Sequence, residues 1–214
     1  MDINEFKNKA KESLNGKYKD AVILLLIIFA ISLVASAILG IISGVLNLNE
    51  NIVNILSNIT STIITSFLAF GELNFYLKIS RNEEVTYKEL FSKTNMFLKY
   101  IILYIIIYVL TCIGFLLFIV PGFIVILMFS QVYYIVLENP EIKITDALKQ
   151  SKEMMDGHKM EYLSLIFSFL GWFILGIFTL GLLYFWLMPY VAVTQANYYN
   201  WLKTQQKKEA IAES

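Results

Sequence analysis

The chain has 214 residues, 57% of them hydrophobic and only 16% charged, with a mean hydropathy of +0.64. Soluble domains carry about 25% charged residues and break their apolar residues into short elements, so this profile excludes that class and makes the bilayer the solvent. Net charge is zero, and the one cysteine, Cys112, lies in an apolar block, which leaves no disulfide framework and no thiol metal site.

In chain order the first element is short and charged. In INEFKNKAKESLNGKYKD (residues 3–20), Ile3, Phe6, Ala10 and Leu14 share one helical face ahead of Gly16, which predicts an amphipathic helix within residues 1–19. Long apolar runs follow. About 20 apolar residues cross a hydrocarbon core roughly 30 Å thick, and six such runs are predicted at residues 20–46, 52–78, 97–119, 122–138, 162–178 and 182–200. VPG (120–122) separates the third from the fourth and TLG (179–181) the fifth from the sixth, so Pro121, Gly122 and Gly181 are the expected hairpin turns. Proline cannot donate its backbone hydrogen bond, and glycine tolerates turn dihedrals.

The predicted fold class is therefore all-α: a polytopic membrane bundle of six transmembrane helices with short amphipathic cytoplasmic helices, in a single domain over residues 1–214. Its parts are the N-terminal helix (1–19), a first helical hairpin (20–78), a linker helix with a second hairpin (79–138), a linker helix with a third hairpin (139–200), and a tail (201–214).

The linkers between hairpins read as further surface helices. In VTYKELFSK, Thr86 and Glu89 have capping-box spacing, with Val85 and Leu90 placed as a hydrophobic staple. In ITDALKQSKEMMDGHK, Thr145 is the expected cap, Asp146 suits the first turn and Gly157 closes the end, while Ile144, Leu148, Ser151 and Met155 share a face. Such helices either lie on the inner membrane surface with lysines toward headgroups, or pack as connectors on the cytoplasmic end of the bundle. Laid without gaps over residues 144–161, residues 3–20 match at Ile3 with Ile144, Lys11 with Lys152, Glu12 with Glu153 and Gly16 with Gly157. That correspondence suggests three units, each an amphipathic helix followed by a hairpin.

Orientation follows from the lysines and arginine. All 17 lie before residue 20, in 78–99, in 143–159 or after 200, and none lies in 47–51, VPG or TLG. Positive charge favours the cytoplasmic side, so both termini are expected there, in the cytoplasmic membrane of a bacterium. The first apolar run is too long for a cleavable signal peptide and is expected to serve as its own anchor.

The second run carries the most informative polar pattern. Asn54, Asn58, Ser61, Thr65, Glu72 and Tyr76 fall on one helical face, with Ala69 filling the gap. Glu72 sits about seven residues, roughly 10 Å, from the cytoplasmic end, too deep for a short carboxylate to reach headgroups. An intramembrane acid faces a bundle interior or a wet cavity and is a candidate functional site. In the first run Ser32, Ser36, Gly40 and Gly44 recur every four residues, the small-residue spacing that lets two helices approach closely. The plain alternative is that these two faces pack together, with Glu72 bonded to a hydroxyl or to a surface lysine.

Other chemistry is sparse. His158 is the only histidine, so zinc ligand spacing and a catalytic triad are both unsupported, and no metal or cofactor is expected. No phosphate loop, dinucleotide fingerprint or HExxH occurs. Trp186 is expected to pack within the bundle.

The C-terminal half also resembles a known family. Pro121 and Gly122, ENP (138–140), Ala147 and Ser151, MDGHK (155–159), GW at 171, TLG at 179 and PY at 189 occur in the order seen in the bacterial integral-membrane family catalogued as domain of unknown function 975. The N-terminal half resembles it only through its leading helix, Gly71 and the LF at 90. The resemblance implies a multi-span inner-membrane protein and supplies no catalytic residues. The function expected is that of a non-enzymatic accessory component of the cytoplasmic membrane. Its partners would be lipids, including anionic headgroups, and a membrane protein or a second copy of the chain, with no nucleic acid. The alternative is a small transporter or channel-like protein using Glu72.

Overall fold

The structure, a computed structural model, describes residues 2–212, with side chains through residue 208. Among the described residues it is helical, with two 3-10 turns and no strand. Helix α1 (Ile3–Leu14) starts where Asp2 accepts a hydrogen bond from the Asn4 N–H at 2.9 Å, and the chain leaves it through Gly16 at φ +77°. Helices α2 (Tyr18–Val45) and α3 (Glu50–Ser80) form the first hairpin, and Asn49 caps α3 by accepting from the Ile52 N–H at 2.9 Å.

The chain then folds back on α3. Residues 81–96 hold 3-10 turns at Tyr87–Phe91 and Thr94–Met96, and the expected helix and capping box do not form. Thr86 makes no side-chain cap bond; Glu89 reaches α3 instead, accepting from Lys78 Nζ at 2.8 Å and Asn74 Nδ2 at 3.0 Å. A tertiary contact outcompetes the local cap. The contact is also one of backbone: a Cβ on Gly71 would lie 1.9 Å from the Leu90 carbonyl oxygen.

Helices α4 (Phe97–Leu117) and α5 (Ile119–Met128) form the second hairpin, and the turn is not at Pro121 and Gly122. It is the single extended residue Phe118, whose N–H bonds to the Gly114 carbonyl at 3.0 Å. Pro121 occupies the first turn of α5, where its missing N–H has no intrahelical partner to lose. Gly122 instead permits close crossing, since a Cβ on Gly114 would lie 2.9 Å from the Gly122 Cα. After a break at residues 129–131 the chain continues as α6 (Val132–Glu138).

Helix α7 (Ile144–Met154) begins one residue earlier than its expected cap; Lys143 stands at the cap position and Thr145 lies inside the first turn. It ends near Gly157 at φ +74°, the counterpart of Gly16, so α1 and α7 correspond as their sequences suggest, while the middle linker departs from the pattern. Helices α8 (Lys159–Phe167) and α9 (Leu170–Phe178) are separated by a two-residue break. Leu180 and Gly181, at φ 52° and 86°, turn the chain into α10 (Tyr184–Ala212), which contains Pro189. The Tyr184 hydroxyl donates to the Phe173 carbonyl at 3.0 Å, over a glycine: a Cβ on Gly176 would meet the Tyr184 ring at 2.4 Å.

Among the described residues, five segments are long and apolar enough to cross a membrane: Tyr18–Val45, Glu50–Ser80, Tyr87–Leu117, Ile119–Glu138 and Lys159–Phe178. The sixth expected run lies in α10, where Thr194, Gln195, Asn197 and Asn200 make the helix more polar.

The buried core gathers at the lysine-bearing end. The apolar stripe of α1 is used there: Phe6 packs edge-on against Tyr198 and Trp201, with ring centroids 5.7 and 5.8 Å away, and Ala10 and Leu14 are fully buried. Of the two placements open to this helix, the face has gone to the bundle. Glu138, at the end of α6, ties the end of α3 to α10 by accepting from Arg81, from the Tyr199 hydroxyl at 2.6 Å and from Lys203 at 2.6 Å. Trp186, expected inside, is 55% exposed on the bundle surface.

Candidate functional site

Helix α3 carries its polar row into two different surroundings. Asn54, Asn58, Ser61 and Thr65 are exposed, whereas Glu72 is half-buried and Tyr76 is buried. Thr62 and Ser66 return their hydroxyls to carbonyls one turn back, at 2.8 and 2.6 Å, which satisfies them within the helix.

Two cavities follow this row. One, of about 200 Å³, lies between α3 and α4 and is lined by Ser61, Thr62, Thr65, Ser66, Tyr100 and Tyr104. The next, of about 230 Å³, is walled by α3, α4, α6 and α10: Glu72, Tyr76, Tyr100, Tyr133, Tyr134 and Gln195 supply its polar lining, and Ala69, Leu73 and Ala192 part of its apolar lining. Thr65 and Tyr100 border both, so the two cavities adjoin along α3.

Among the described residues no hydrogen bond or ion pair reaches Glu72, so the expected bond to a hydroxyl or surface lysine is not made. The nearby cations are engaged elsewhere: Lys78 bonds Glu89, and Arg81 bonds Glu138 and Asn200. The Tyr76 hydroxyl is likewise buried without a partner. A buried polar group left unbonded costs free energy, and its presence marks a strained or ligand-binding position.

The tyrosine wall is organised by ring contacts. Tyr100 and Tyr133 lie 4.9 Å apart at 30°, Phe70 sits edge-on to Tyr100 at 5.7 Å, and Tyr134 stacks on Tyr199 at 4.8 Å. Tyr100 and Tyr133 were not marked by the sequence, because they sit on other helices and only the fold brings them to Glu72. Of the expected site, Glu72, Tyr76 and Thr65 line the second cavity and Ser61 and Thr65 the first, while Asn54 and Asn58 border neither.

The small-residue stripe of α2 divides in the same way. Ser32 and Ser36 face Ser57 and Ser61 across a small cavity, but a Cβ on Gly40 or Gly44 would meet nothing within 4 Å.

At the lysine-bearing end, two lysines of α1 fold onto rings of other elements. Lys7 Nζ lies 4.3 Å above the Phe169 ring and donates to the Ser168 carbonyl at 2.9 Å, and Lys11 Nζ lies 5.7 Å from the Tyr190 ring centre. Burial, with Lys11 beside it, holds the Lys7 ammonium below the usual lysine range.

The family model described as protein of unknown function (DUF975) matches residues 1–127 and 109–206. The chain belongs to the DUF975 family. The match takes in the N-terminal half, whose resemblance is sparse to the eye, as well as the C-terminal half. No curated protein and no solved structure matches the chain. Within this DUF975 protein, two residues that carry the resemblance are backbone contacts: Gly71 under Leu90 and Gly122 against Gly114.

Proposed function

We propose that this DUF975 protein is a non-enzymatic accessory component of the bacterial cytoplasmic membrane that acts by binding a membrane partner. In this reading α10 supplies the sixth span, both termini are cytoplasmic, and α1 and α7 stand at the cytoplasmic end. The lysine distribution supports that orientation. The observation that carries the reading is the row Asn54, Asn58, Ser61 and Thr65, exposed along a helix otherwise apolar enough to cross a membrane. Lipid tails offer such groups no hydrogen bonds, so a second helix or a bound molecule is needed to cover them. The exposed lysines of α1, Lys9 and Lys11, add attraction for anionic headgroups.

Native mass spectrometry in lipid discs tests this directly. Wild type is expected to retain a bound protein or a second copy, and Asn58→Leu with Ser61→Leu to release it while remaining folded. Retention of the same partner by the double variant overturns the assignment of this face.

A second reading has its own observation. Two adjoining cavities line α3 from Ser61 to Glu72, where an ion or solute path would lie. A transporter of this kind moves a cation into proteoliposomes and loses that flux in Glu72→Gln; flux equal in the two proteins rules Glu72 out as its site.

A further inference from the structure

We propose that the Glu72 cavity binds a small organic monocation, a protonated amine or quaternary ammonium. The inference rests on the cavity being a binding site and is independent of which partner covers the outer part of α3.

Charge selects the sign. Glu72 is the one ionisable acid in the lining, and no lysine or arginine faces it there. An anion would be repelled, and a cation would find a carboxylate with no ion pair to displace. Size and wall chemistry then select the kind of cation. A volume of about 230 Å³ equals roughly seven or eight waters at about 30 Å³ each, far more than a dehydrated metal ion fills. Calcium also takes about six to eight oxygen ligands, where the one carboxylate in this lining is Glu72. The lining is instead mixed: Tyr76, Tyr100, Tyr133 and Tyr134 stand with the apolar Leu73 and Ala192. Tyrosines around a carboxylate suit a cation with an alkyl coat, which gains ring attraction without needing a full set of oxygen donors.

Tyr76 is only 3% exposed and lines the cavity, adding a buried aromatic side chain to the wall around Glu72. The ligand thus completes Glu72, a carboxylate the fold leaves unbonded. Such a cation exists both free and as the headgroup of an amino lipid, and the cavity chemistry is the same for each.

The test is calorimetric titration of the whole chain in discs of phosphatidylglycerol, which has no amine, with choline, propylammonium and the neutral choline isostere 3,3-dimethylbutanol. Choline or propylammonium is expected to bind and the isostere not to. Glu72→Gln is expected to weaken the cation by about ten- to a hundredfold, the fold-change of losing one charge-assisted contact, and Glu72→Asp to weaken it less. Tyr133→Leu gives a second variant that leaves the carboxylate in place and is expected to weaken choline more than propylammonium. Repeating the titration in discs containing phosphatidylethanolamine separates the sources: competition by the lipid assigns the headgroup, and unchanged binding assigns a free amine. Equal binding of choline and its neutral isostere overturns the proposal, as does binding unchanged in Glu72→Gln, or absence of binding to wild type in discs free of amine. Because each readout is an equilibrium on one chain, loss of a protein partner in the preceding test leaves it untouched.

Discussion

The two halves of α3 are built on different physics. Every buried residue of the helix lies at or beyond Ser66, where Leu68, Phe70, Phe75, Tyr76, Leu77 and Ile79 enter the core beside the linker and α10. From Glu50 to Thr65 no residue of the helix is buried, and Asn54, Asn58, Ser61 and Thr65 are exposed. Helix α2 repeats the contrast: Ala21 and Leu24 are buried near one end, while Gly40 and Gly44 have open space beyond them. Near the lysines, water is close and apolar burial holds elements together. Farther away lipid tails are as apolar as leucine, so helices need small residues, polar contacts or partners to associate. The first region is finished within one chain; the second carries the means of association without a neighbour to use them.

The sharpest way to break this comparison is to place one methyl group in each region. In the finished half, Gly71→Ala puts a Cβ 1.9 Å from the Leu90 carbonyl oxygen, with the Leu90 carbonyl carbon and the Glu89 oxygen also under 3 Å. Backbone cannot rotate aside as a side chain does. Overpacking of this kind costs about 1–3 kcal/mol or more. The expected outcome is a clear fall in the thermal unfolding midpoint in lipid discs, with faster proteolysis of the 81–96 linker. A Gly71→Ala protein as stable as wild type would mean that the linker does not lie on α3.

A smaller effect is expected at the node joining α3, α6 and α10. Tyr199→Phe keeps the ring stacked on Tyr134 but removes the hydroxyl that donates to Glu138 at 2.6 Å. Hydrogen bonds to charged groups contribute about 1.5–3 kcal/mol, and the low end applies because Glu138 keeps Arg81 and Lys203. The loss is read as a lower unfolding midpoint, and it should shrink when Glu138 is already glutamine, since the two residues share one interaction.

Much of this layout was legible in the sequence. Long apolar runs, the amphipathic stripe Ile3, Phe6, Ala10 and Leu14, the turn at Gly181 and the match of Gly16 with Gly157 all depend on local periodicity or on glycine dihedrals, which a sequence displays. Several misses share one cause, a tertiary contact. Glu89 left its capping box for Lys78, and Gly122 serves contact with Gly114 rather than a turn. Tyr100 and Tyr133 come to Glu72 from α4 and α6, so helical spacing on α3 could find one wall of the cavity and not the others. The breaks at 129–131 and 168–169 fall inside apolar runs with no proline or glycine to announce them.

The smallest expected effect is the most informative about the open half. Gly40→Ala adds the same methyl group as Gly71→Ala, but nothing lies within 4 Å to meet it. Alanine is the better helix former by about 0.5–1 kcal/mol, so the isolated chain should unfold at or slightly above the wild-type midpoint. The consequence is expected in association instead: if Gly40 lies where a second helix approaches, the added methyl group lowers the fraction of chain carrying a partner in native mass spectrometry while stability is unchanged. Stability and association then separate cleanly, Gly71 affecting the first and Gly40 the second. A Gly40→Ala protein that keeps its partner and its midpoint moves the contact off α2 and leaves the polar row of α3 as the surface through which this half associates.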